Sequence, residues 1–114
     1  MKDKDRIIVG KIIKYLNSIG EYSTGMEFNE FENDQKTQYA CAFLFGQIGE
    51  LIKKLSDEFL EDFTEIQWHK IKGMRNRIVH EYENIDLSIV WYVITEDVPN
   101  FTIQLDDIMQ RDKQ

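Results

Sequence analysis

Tyr39-Ala40-Cys41-Ala42-Phe43-Leu44-Phe45-Gly46-Gln47-Ile48-Gly49-Glu50-Leu51-Ile52-Lys53-Lys54-Leu55 decides the fold of this chain. Tyr39, Ala40, Phe43, Leu44, Gln47, Ile48, Leu51, Ile52, Leu55 and then Phe59 form a ladder at steps of three and four residues. That is the period of a helix rather than a strand. Cys41 and Phe45 widen the apolar surface past one stripe. Asn33 or Asp34 is a good N-cap, so the spacing predicts a helix from about Asp34 to Phe59. Ala42, Gly46 and Gly49 leave room for another backbone to approach. A glycine inside a helix costs about 1 kcal/mol relative to alanine, so two of them imply tight packing. Two readings stay open: a central bundle helix with neighbours on two sides, or a helix with one side at a subunit interface.

The same period extends in both directions. Ile8, Ile12, Tyr15, Leu16, Ile19 and Tyr22 predict a first helix from about Asp5 to Tyr22. Ser23-Thr24-Gly25 is a connection, and Met26 to Phe31 reads as a helical turn. Beyond the acidic stretch Glu58 to Asp62, Thr64 with Gln67 forms a candidate capping box. The helix after it turns Trp68, Ile71, Met74, Ile78 and Val79 inward, with Gly73 hinting at a further close contact. Asn84 to Asp86 is a break, Asp86 caps a fourth helix, and Leu87, Val90, Trp91 and Ile94 share its face. Asp97-Val98-Pro99 signals an end and a restart. A last helix from Pro99 to about Gln110 carries Phe101, Leu105 and Ile108, and the tail from Arg111 should fray. The expected fold is all-α, an up-and-down bundle of four to five helices.

The chain has 114 residues, a formal charge of −7 and 42% hydrophobic residues. This composition fits one domain over residues 1–114 and excludes a disordered tail. The single Cys41 rules out an intrachain disulfide and a multi-cysteine metal site. His69 and His80 stand eleven residues apart without a metal-ligand pattern, so neither a metal nor another cofactor is expected. The N-terminal Met1-Lys2-Asp3-Lys4-Asp5-Arg6 does not resemble a signal peptide. No apolar run approaches the roughly 20 residues that span a bilayer. A soluble cytoplasmic protein without membrane partners is expected. The acidity also argues against general nucleic-acid binding, though not against binding at one patch.

Such a patch exists. From His69 to His80 there is no acidic residue, while Lys70, Lys72, Arg75 and Arg77 all fall there. A cationic island on an acidic chain suits a phosphate-bearing partner. Arg75, Asn76, His80 and Tyr82 add a guanidinium, a carboxamide, an imidazole that ordinarily titrates near neutrality, and a phenol. Their spacing poses a geometric problem. On an ideal helix, residues five apart point about 140° away from each other, so one straight helix does not aim Arg75 and His80 at one phosphate. Either the helix frays after Val79, or two copies of it meet across a two-fold axis and share the four groups.

Arg75-x4-His80-x-Tyr82 resembles the signature of the HEPN superfamily, in its HepT-like branch. The likeness extends to Ile48-Gly49-Glu50, to Trp68 followed by Ile71-Lys72-Gly73-Met74-Arg75-Asn76, to His80-Glu81-Tyr82 and Ile85-Asp86, and to Val90-Trp91 and Asp97-Val98-Pro99. It covers nearly the whole chain. The resemblance implies a helical homodimer acting as a metal-independent endoribonuclease on transfer or messenger RNA. It also implies the toxin half of a toxin–antitoxin pair, whose partner is a minimal nucleotidyltransferase (MNT) that silences it by AMPylation of Tyr82. The catalytic pair would be Arg75 and His80, supported by Asn76, with Lys70, Lys72 and Arg77 guiding RNA.

The chemistry suits these residue types. RNA carries its own nucleophile in the 2′-hydroxyl, so a base and a cation suffice for cleavage. His80 can move the proton, and Arg75 can hold the phosphate and offset growing charge. Asn76 can orient His80 or bond a phosphate oxygen. A bulky anion on Tyr82 would block and neutralise such a cleft. A rival reading is a non-catalytic helical subunit that binds nucleotides or presents substrates to the nucleotidyltransferase. Taken singly, His80 reads as a helix-end histidine, Arg75 as a surface ion-pair partner, and His69, Trp68, Trp91 and Cys41 as structural.

Overall fold

A computed structural model describes residues 1–81 and 86–112, without the side chains of Met74 and residues 77–81. Its helices are α1 (Asp3–Ser23), α2 (Phe28–Glu32), α3 (Gln35–Lys53), α4 (Asp57–Asp62), α5 (Trp68–Glu81), α6 (Leu87–Tyr92) and α7 (Val98–Asp112). The described residues contain no strand. Four long runs build the bundle, because α6 passes into α7 through a wide turn at Val93–Asp97. In that turn the Val98 N–H donates to the carbonyl of Val93, five residues back. Pro99 therefore does not end the helix as expected. Proline lacks the N–H and crowds the carbonyl four residues earlier, and the wider turn accommodates both effects without breaking the run.

Packing follows the apolar stripes. Val9, Ile12, Leu16 and Ile19 of α1 are buried against Phe45, Ile48 and Ile52 of α3 and against Leu105 and Ile108 of α7. α3 lies between α1 and α5, so the reading with neighbours on two sides holds. Its stripe is rotated from the one expected, however. Gln38, Cys41, Leu44, Phe45, Ile48, Gly49 and Ile52 are buried, whereas Tyr39 and Phe43 are exposed, Phe43 to 65%. Tyr22 of α1 likewise faces solvent.

α3 stops at Lys53 instead of continuing to Phe59. The Lys54 and Leu55 amides bond three residues back, to Leu51 and Ile52, which tightens the last turn. The Ser56 hydroxyl then accepts from the Phe59 amide at 3.1 Å and caps α4. The buried Asp5 carboxylate accepts from both the Ser56 amide (2.9 Å) and its hydroxyl (2.7 Å). One polar cluster thus fixes the end of α3 to the start of α1. Ser56→Ala removes the cap and leaves a buried carboxylate short of a donor, and is expected to cost about 1–3 kcal/mol in urea unfolding.

Asp34 caps α3 through Thr37, and bonds from the Thr37 amide and hydroxyl hold its carboxyl below the usual range. Asp86 caps α6, accepting from the Ser88 amide at 2.9 Å. Thr64 is not the N-cap of α5: residues 63–65 form a turn, and α5 begins only at Trp68. The expected fraying of the tail from Arg111 is not seen at Arg111 and Asp112, and residues 113–114 lie outside the described residues. α7 reaches Asp112, whose carboxylate accepts from Arg6 and is held below its ordinary range by those bonds. Among the described residues, no helix is long and apolar enough to cross a membrane.

Candidate active site

The position of Arg75 is set at the other end of its helix. The Trp68 indole packs against Phe59 and, edge-on, against Phe101, and its N–H donates to the Phe63 carbonyl at 3.2 Å. Ile71 follows one turn on and is buried. Arg75 lies four residues beyond Ile71, on the same face of α5. Its stem therefore enters the α3–α5 seam, and only 17% of the side chain is exposed.

Gly49 admits that stem. A Cβ at position 49 would lie 2.5 Å from Arg75 Cγ and 2.9 Å from its Cβ and Cδ. The close approach foreseen at Gly49 is thus real, but an arginine side chain makes it rather than a second backbone. Gly73, in contrast, has no such neighbour within 4 Å. At the head of the side chain, Nη2 donates to Glu50 Oε1. Nη1 donates to Asn76 Oδ1 at 2.9 Å. Nε is buried and meets no acceptor among the described residues.

These contacts change the reading of the island. Its own sequence holds no acid, but tertiary packing supplies two: Glu50 pairs with Arg75, and Asp97 pairs with Lys70 at 3.1 Å. Lys70 sits five residues from Arg75 and so on another side of α5. Lys72 is exposed and shares a groove of about 420 Å³ with Lys53, Asp57, Trp68 and His69. The guanidinium is donor-only, so the Asn76 oxygen must face it. That leaves the Asn76 amide hydrogens directed elsewhere, able to donate to an anionic oxygen.

Glu50 is the functional candidate that local spacing did not single out. Its partner lies 25 residues away, and only the neighbouring glycine signalled the contact. The Arg77 and His80 side chains and all of Tyr82 lie outside the described residues. Helix α5 itself runs to Glu81, so it does not end after Val79, and positions 75 and 80 keep their helical separation. Burial pushes the Cys41 thiol up to about 11, with the Asp34 charge adding to the effect, so Cys41 is no thiolate nucleophile. Among the described residues, no three His, Cys, Asp or Glu side chains are grouped to hold a metal.

The all-α bundle thus presents an arginine held between a carboxylate and a carboxamide. The model of the ribonuclease HepT-like family matches residues 12–108, and the chain belongs to that family. A Methanocaldococcus jannaschii protein named "Putative RNase MJ0127" is 29% identical over 111 residues, 96% of this chain and 92% of its own. A Caldanaerobacter subterraneus protein named "Putative RNase TTE0752" is 33% identical over 89 residues, 78% of this chain and 80% of its own. The "Probable ribonuclease HepT" of Thermococcus cleftensis is 29% identical over 100 residues, 88% of this chain and 91% of its own. No solved structure matches.

Proposed function

We propose that this ribonuclease works as a homodimer of one-domain subunits, residues 1–114, cutting RNA without a metal at a cleft that two copies of α5 share. One observation carries the composite site: α5 stays helical through position 80, so a single copy keeps Arg75 and His80 about 140° apart. A two-fold partner brings the missing group to each arginine. Phe43, 65% exposed on the α3 face next to the α3–α5 seam, offers apolar surface for that partner.

In the reaction, the 2′-oxygen attacks phosphorus and the P–O5′ bond breaks. An imidazole takes the 2′-hydroxyl proton, and the departing 5′-oxygen receives one. The product ends are a cyclic phosphate and a 5′-hydroxyl. Arg75 and the Asn76 amide donate to the non-bridging oxygens, whose charge grows as the new bond forms. Lys72, with Arg77, draws the backbone toward the cleft. Lys70, held by Asp97, plays a smaller part.

The chain acts as the toxin of a pair whose antitoxin is an MNT-type nucleotidyltransferase. That enzyme adds AMP to Tyr82: the phenol oxygen attacks the α-phosphorus of ATP, loses its proton, and pyrophosphate leaves. The added phosphate is an anion two residues from His80, and it competes for the charge meant for RNA.

Purified chain is expected to cleave transfer or messenger RNA at full rate in excess EDTA. After co-expression with the nucleotidyltransferase, it should lose cleavage and gain mass in AMP steps that Tyr82→Phe abolishes. Cleavage that stops in EDTA would refute the metal-free reading, and unchanged mass and activity after co-expression would refute the regulatory one.

A further inference from the structure

Glu50 is poorly explained as a device for stability or for substrate binding. Its side chain is 47% exposed, and ion pairs at such positions contribute little to folding. A carboxylate beside a phosphate-binding guanidinium also repels the phosphate. Its geometry suits a different task. Gly49 seats the stem of Arg75, while Glu50 Oε1 takes Nη2 from the α3 side. The Nε is buried without a partner among the described residues, and Nη1 lies on the exposed side with Asn76. Two consecutive residues of α3 thus hold an otherwise flexible side chain at both ends. Only one edge of it is left for a ligand. Lys53 Nζ, one turn along at 3.4 Å, steadies Glu50 in turn.

We propose that Glu50 is a positioning residue for the ribonuclease reaction read above: it orders Arg75 before RNA arrives, so that the Nη1 edge meets the phosphate in one orientation. The ordering costs some substrate affinity and is returned as turnover.

Two measurements test this. In steady-state cleavage of a short RNA, Glu50→Ala is expected to lower kcat roughly 10- to 100-fold, with KM unchanged or lower. Glu50→Gln keeps an acceptor oxygen and should recover part of kcat. By NMR, the buried Arg75 Nε–H, assigned by its absence in Arg75→Lys, should exchange slowly in the wild type and rapidly in Glu50→Ala. Should Glu50→Ala not fold, Glu50→Gln decides both measurements. A kcat within about twofold of wild type, a raised KM at constant kcat, or a slowly exchanging Nε–H without Glu50 would overturn the proposal. If wild-type protein cuts no RNA while the Nε–H behaves as expected, the clamp stands and the ribonuclease reading fails.

Discussion

Arg75→Ala and His80→Ala, each expected to lose most activity alone, are expected to regain RNA cleavage when they are co-refolded in equal amounts. Separately, each should be crippled. Removing a donor to the developing oxyanion typically costs about 10²- to 10³-fold, and removing the proton-transfer group about 10²- to 10⁴-fold. Recovery follows from α5 holding its helical course from Trp68 to Glu81. If Arg75 of one copy works with His80 of the other, a mixed dimer retains one intact couple of two. Random pairing makes about half the dimers mixed, so about a quarter of wild-type activity should return. Tests on single variants cannot distinguish this from a site within one chain. A mixture no more active than the sum of its parts would place both groups in the same subunit and remove the reason for a shared cleft.

The bundle was legible because α1, α3 and α7 bury stripes at three- and four-residue steps, and periodicity reports this directly. The rotation of the α3 stripe was less so. Phe43 is as apolar as Leu44 and Ile48, and nothing local says which side faces the other helices. The end of α3 was missed because Ser56 is held by Asp5, a contact across 51 residues. At Pro99 the local rule was sound but incomplete, since a wider helical turn can absorb the missing amide. At the site, Arg75 and Asn76 were candidates from their residue types and the family resemblance, and the structure joins them through one hydrogen bond. Glu50 stood in the Ile48-Gly49-Glu50 segment of the family likeness but was given no role, and Gly49 marked a close approach without identifying the group that makes it.

Gly49→Ala separates that approach from ordinary helix energetics, because two effects of similar size oppose each other. Alanine favours a helix interior over glycine by about 1 kcal/mol. Against this, the new Cβ would lie 2.5 Å from Arg75 Cγ and 2.9 Å from its Cβ and Cδ. These atoms belong to the stem, so a rotation of the guanidinium alone cannot relieve the clash. Either the stem leaves its seat or α5 moves from α3. Overpacking of this kind costs about 1–3 kcal/mol, so the net loss of stability should be about 0–2 kcal/mol. Activity should suffer much more. A displacement of about 1 Å at a reacting group can cost about 100-fold, and that is the expected fall in kcat/KM. The diagnostic result is a change of sign. With Arg75→Gly already in place all three crowding atoms are gone, and Gly49→Ala should then stabilise the protein by about 1 kcal/mol. If Gly49→Ala shifted urea midpoints equally in both backgrounds, or left cleavage intact, the Arg75 stem would not be seated on Gly49. Arg75 would then owe its position to some other contact.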